Sequence, residues 1–177
     1  MPFLRDATLT MVRELHSVKV LPVAPDVEKY LDWPFPFGKA VTESFPDCSE
    51  DIGEAHQCFA FGQYTAAMFH LGRAMEIAVK KLAERIRTSK PARDEWQHYI
   101  NALNEKIKEM PFETPQQRAQ RAILSEATNY LFNFKEAWRN PTMHPKKTYT
   151  RSEALTVLEG AGAFLNHISK KLFKTSV

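Results

Sequence analysis

Between positions 138 and 144 the chain reads Trp138-Arg139-Asn140-Pro141-Thr142-Met143-His144. Arginine is a permanent cation whose forked donors fit a phosphate. Histidine is the side chain whose ordinary pKa suits proton transfer near neutrality. An arginine and a histidine in one short basic segment suit phosphodiester cleavage without a metal. RNA carries its own nucleophile, the 2′-hydroxyl, so a protein that cleaves it need only move protons and stabilise charge. Spacing alone does not single this segment out, because Arg93 and His98 repeat it. Context separates the two: Arg93–His98 runs through Asp94 and Glu95 at a helix start and reads as a solvated face, whereas 139–144 holds no acid. The structural reading of the same segment is an arginine beside a helix C-terminus and a surface histidine.

The charge distribution favours the same region. The chain has a formal net charge of +3 over 177 residues. Residues 1–62 carry 5 basic and 10 acidic side chains, and residues 63–177 carry 19 basic and 11 acidic. Arg139, Lys146, Lys147 and Arg151, with His144, form the densest cationic stretch and suit a polyanion. Other chemistries lack their residues. There is no phosphate-cradling glycine loop, and Gly160-Ala161-Gly162 inside a helical pattern implies close packing. His56 and Cys58, two apart, face different sides of a helix, so no metal-ligand spacing is read there and no cofactor is expected. Two cysteines cannot form a disulfide framework, no apolar run approaches a membrane span, and no signal peptide is read, so the expectation is a cytoplasmic protein.

The elements that must position these residues are helical. Tyr64, Met68, Leu71, Met75, Ala78, Val79, Leu82 and Ile86 recur at 3.6-residue spacing after Gly62, itself a natural helix stop for residues 49–61. Trp96, Tyr99, Leu103, Ile107 and Met110 mark a further helix. Thr114-Pro115-Gln116-Gln117 is a capping box that opens a long helix burying Ile123, Ala127, Leu131, Phe134 and Trp138. Pro141 should end that helix at Asn140, which leaves 139–144 in a loop. Thr150-Arg151-Ser152-Glu153 is a second capping box, opening a last helix with Leu158, Ala161, Leu165, Ile168 and Leu172 on its core face. No alternating strand pattern competes. The fold class is all-α: an antiparallel bundle of four main helices over 47–177. Residues 1–46 form a separate arm, with a shorter N-terminal helix at 4–18 and an extended proline- and aromatic-rich stretch whose aromatics lie on the bundle surface.

An all-α bundle with Arg139, Asn140 and His144 ahead of its last helix resembles the HEPN superfamily (higher eukaryotes and prokaryotes nucleotide-binding). The segment Gly62–Leu71, continuing through Arg73 and Glu76, is similar to bacterial HEPN-like proteins of unknown role. The resemblance covers roughly residues 49–172 and leaves the arm outside. It implies a metal-independent endoribonuclease of the kind found in toxin–antitoxin and phage-defence systems, with Arg139 and His144 as the catalytic pair and Asn140 as the polar residue following the arginine. In that setting an antitoxin or regulatory protein is an expected partner. The chain departs from the toxin subgroup that carries a tyrosine two residues past the histidine, since that position is Lys146. One histidine per segment is half of an acid–base pair, and a two-fold homodimer would supply the other half.

Three side chains on the helix after Gly62 matter to that reading. His70, Arg73 and Glu76 are polar in a stretch that is apolar nearly all round, and buried charges need partners. Glu76 either pairs with Arg73 three residues away or supports Arg139 or His144. Lys146, Lys147 and Arg151 would grip the RNA backbone. Two further readings stay open: a non-catalytic module of the same type that binds RNA or a nucleotide, and a dimeric scaffold with the 22–46 stretch as its docking surface.

Overall fold

Two threonines start the helices that flank the basic segment. The Thr114 hydroxyl accepts from the Gln117 N–H at 3.2 Å while the Gln117 side chain accepts from the Thr114 N–H at 2.9 Å. Thr150 and Glu153 make the same reciprocal pair, at 3.3 and 3.0 Å. Both capping boxes satisfy amide groups that have no partner within their own helix. These contacts come from a computed structural model that describes residues 2–18, 23–31, 34–144 and 147–173.

The described residues are all-helical and contain no strand. The α-helices are α1 (Pro2–Ser17), α2 (Lys39–Ser44), α3 (Ser49–Ala60), α4 (Tyr64–Arg85), α5 (Trp96–Glu109), α6 (Pro115–Phe134), α7 (Asn140–Met143) and α8 (Arg151–Leu172). Short 3₁₀ turns lie at Glu28–Tyr30 and Pro46–Cys48. Helix α4 packs against α3, α5, α6, α7 and α8, which is why its sequence is apolar on several sides. Leu71, Ala74, Met75, Ala78, Val79 and Leu82 are fully buried on it.

Gly62 sets how α4 leaves α3. At φ +72 it occupies the left-handed region, and the Gly62 and Gln63 amides return to the carbonyls of Phe59 and Cys58 at 3.1 and 2.8 Å. This is a Schellman closure, which turns the chain sharply enough for α4 to run along α3.

From Val27 to Phe45 the described residues do not lie as an extended stretch on the surface. Val27, Tyr30, Phe37, Val41 and Phe45 belong to the same buried core as the later helices, and residues 39–44 are helical. The prolines govern local backbone only; the neighbouring aromatics are large enough to be drawn into the core. Phe37 lies in contact with Gly162 of α8, where an added Cβ would meet the Phe37 ring at 2.7 Å. The Asn166 side-chain amide donates to the Phe37 carbonyl and to that of Gly162. Gly160 faces the Tyr130 hydroxyl, so both glycines of the Gly-Ala-Gly run are close-packing positions.

Candidate functional site

Pro141 does not end the helix at Asn140. Residues Lys135–Arg139 form one π turn, in which the Asn140 N–H returns to the Lys135 carbonyl five residues back, and α7 carries the chain helically to Met143. A proline lacks the N–H for a bond to residue i−4, and its ring crowds that carbonyl; widening the preceding turn relieves both. The Trp138 carbonyl accepts from the Thr142 hydroxyl at 2.6 Å and the Tyr149 hydroxyl at 3.2 Å. Arg139 and Asn140 are therefore helical residues rather than loop residues.

The π turn swings Arg139 over α4. Its aliphatic stem crosses the buried Gly72, where an added Cβ would meet the arginine Cγ at 3.5 Å. Beyond the stem, Nη2 donates to Glu76 Oε2 at 3.3 Å, with about a quarter of each side chain exposed. Nη1 points to Asn140 Oδ1 at 3.5 Å, and Nε is buried with no hydrogen-bond partner among the described residues. The Asn140 amide donates to Glu136 Oε1 at 3.3 Å. Glu136 also accepts from Lys135, whose ammonium holds the carboxyl below its ordinary range. One chain of polar contacts thus links Glu76, Arg139, Asn140, Glu136 and Lys135. His144 caps α7 with its N–H on the Asn140 carbonyl at 3.1 Å, and the residue is exposed.

The remaining expected residues separate. Glu76 pairs with Arg139, not with Arg73. Arg73 instead donates through Nε to Asp51 Oδ1 of α3 at 2.8 Å, and His70 Nδ1 lies 3.0 Å from the same oxygen. The Asp51 hydrogen bond is the main reason the Arg73 guanidinium pKa rises. Lys147 does not stand open: its ammonium is 3.0 Å from Glu153 and sits over the rings of Trp138 and Tyr149. Arg151 is ion-paired with Asp26 of the first 46 residues. Lys146 lies outside the described residues. His98 is half-buried, with Nδ1 3.5 Å from Glu95, while Arg93 is exposed. His56 is buried, donates through Nδ1 to the Ile52 carbonyl at 2.7 Å, and has its pKa lowered by burial.

A second cluster falls outside the sequence reading. Cys58 has a neighbour set that its spacing from His56 concealed: the ligand atoms of Glu54, Cys58 and His70 lie within 4.8 Å of one another. The signal was present in part, since Glu54 and Cys58 are four apart on one face of α3. The third member, His70, is brought in only by the turn at Gly62. No family model, curated protein or solved structure matches this chain.

Proposed function

We propose that the protein is a metal-independent endoribonuclease of HEPN type that cleaves single-stranded RNA. The observation that carries this reading is the seating of Arg139: its stem lies on Gly72, Glu76 fixes its outer nitrogen, and α7, which follows it directly, leads to the exposed His144. A guanidinium fixed in place can stabilise the charge that develops on a phosphate without reorganising. The π turn in the same stretch supports the reading, since such turns are frequent at functional sites.

In this reading α4, α5, α6 and α8 are the four main helices of an antiparallel bundle, and two chains associate about a two-fold axis. Two Arg139 and two His144 side chains then face one RNA strand. One imidazole takes the proton of the 2′-hydroxyl as its oxygen attacks the adjacent phosphorus. The other gives a proton to the departing 5′-oxygen, and Arg139 stabilises the pentavalent charge. The products carry a 2′,3′-cyclic phosphate and a free 5′-hydroxyl. Asn140 Oδ1 accepts from Nη1, the guanidinium nitrogen that Glu76 does not engage. A role in toxin–antitoxin or phage-defence systems, with an antitoxin or regulatory protein as partner, follows from the same resemblance.

The test uses purified chain, single-stranded RNA and EDTA. Cleavage to cyclic phosphate ends that is lost in His144→Ala, together with a dimer by light scattering, supports the proposal. A clean monomer at micromolar concentration, or no cleavage of any RNA, overturns it. The ion pairs that occupy Lys147 and Arg151 favour a second reading, a non-catalytic binding or scaffold module. Salt-sensitive RNA binding without cleavage would select the binding form of it.

A further inference from the structure

We propose that Glu54, Cys58 and His70 form a binding site for a zinc-class divalent cation, held between α3 and α4. The three donors are a carboxylate oxygen, a sulfur and an imidazole nitrogen, all within 4.8 Å of one another. Tetrahedral zinc with bonds of about 2.0–2.3 Å places its ligand atoms about 3.5 Å apart, so adjustments on the order of 1 Å close the site. Glu54 is exposed and Cys58 and His70 are half-buried, which leaves a path for an ion and a fourth position for water.

A separate observation points to the same use. His70 Nδ1 faces the Asp51 carboxylate at 3.0 Å, and the carboxylate can only accept, so Nδ1 carries a proton and Nε2 is the ring nitrogen left to ligate an ion. A carboxylate behind a histidine is the arrangement that fixes tautomer and ring orientation at metal sites. Asp51 is itself anchored: it is buried, and Arg73 donates to the same oxygen at 2.8 Å. The Phe69 ring meets the His70 ring edge-on at 5.7 Å between centroids. Thiolate and imidazole donors favour zinc over magnesium or calcium, which prefer oxygen alone. On binding, the Cys58 thiol gives its proton to the buffer and the sulfur–metal bond replaces it. Because the ligands come from both sides of the Gly62 turn, the ion would tie α3 to α4.

The experiment needs no RNA and so stands or falls apart from the ribonuclease reading. Full-length chain is stripped of metal and titrated with Zn²⁺ against a chromogenic chelator, and separately with Co²⁺ in the spectrophotometer. The expected results are one zinc per chain and a thiolate-to-cobalt charge-transfer band. Cys58→Ser and His70→Gln should each abolish the band or weaken affinity by about 100-fold or more. Asp51→Asn, which keeps all three ligands, should weaken it by about 10–100-fold. Cys48→Ala, removing the other thiol, should leave the band in place. Circular dichroism confirms that each variant is folded. No zinc bound in competition with the chelator, or affinity unchanged in both Cys58→Ser and His70→Gln, overturns the site. Unchanged affinity in Asp51→Asn overturns the positioning role of Asp51.

Discussion

Arg139 and Glu76 are 63 positions apart in sequence and meet at 3.3 Å, across the buried Gly72. The contact joins the end of the α6 segment to α4 at the point where the π turn ends. With about a quarter of each side chain exposed, both charges are partly withdrawn from water. Removing one partner leaves the other short of a counter-charge. Glu76→Ala and Arg139→Ala should each destabilise the fold by about 1–3 kcal/mol. A double-mutant cycle in urea should return a coupling energy of at least about 0.5 kcal/mol. Strictly additive effects would show that the pair does not form in solution.

For the proposed RNA chemistry, Arg139→Ala should lower the cleavage rate by about 100-fold or more, the effect of losing one preorganised charge donor. Glu76→Gln keeps a hydrogen-bond acceptor for the guanidinium and should cut the rate less than Arg139→Ala does. Initial rates on a fluorescent single-stranded substrate measure both. Equal loss in the two variants would place Glu76 in direct contact with the RNA rather than behind Arg139.

Gly162→Ala tests whether the segment around Phe37 belongs to the core. Alanine in a helix interior normally stabilises relative to glycine by about 1 kcal/mol. Here the new methyl would meet the Phe37 ring at 2.7 Å, and the Phe37 backbone is held by Asn166. Overpacking of this kind costs about 1–3 kcal/mol, so the net effect should be destabilising. A shift of the urea midpoint to higher concentration would mean that Phe37 is free to move aside.

Glu153 gives the chain an acid-sensitive cap. Hydrogen bonds from the Thr150 backbone, then from Lys147 and the Thr150 hydroxyl, lower its carboxyl pKa from 4.5 to about 2. A depressed folded-state pKa contributes stability that is complete above 4.5 and is lost as pH falls towards 2. Glu153→Gln keeps the reciprocal cap but removes this titration. Stability measured by urea between pH 6 and pH 2 should therefore fall less steeply in the variant. Parallel curves would exclude the cap as the source.

The two thiols should separate by reactivity. Burial, with Asp47 and Asp51 nearby, pushes Cys48 up to about 12, and its Sγ donates to the Ala74 carbonyl at 3.2 Å. Cys48 is therefore held as the unreactive thiol, whereas Cys58, itself raised by burial and by Glu54, is only half-buried. Alkylation of native protein at pH 8 followed by mass spectrometry should label Cys58 alone, and both residues in denaturant. Native labelling of Cys48 would contradict the packing of the Pro46–Cys48 turn on α4.

What the sequence by itself determined was local. The 3.6-residue spacing from Tyr64 to Ile86, the capping boxes at Thr114 and Thr150, and the stop at Gly62 each depend on residues within a few positions of one another. Helix periodicity and cap chemistry are complete within one or two turns, so they can be read before folding. The close packing implied by Gly160 and Gly162 was legible for the same reason, though its partners, Tyr130 and Phe37, were not. Tertiary structure decided every pairing between distant segments. It drew Phe37 and Phe45 into the core despite their prolines, because buried aromatic area outweighs a local preference for extended backbone. It let the helix pass Pro141 through a π turn, chose Arg139 rather than Arg73 for Glu76, and set His70 beside Cys58. Side chains 12 and 63 residues apart become neighbours only when helices pack, and nothing in their separation along the chain encodes which charge reaches which.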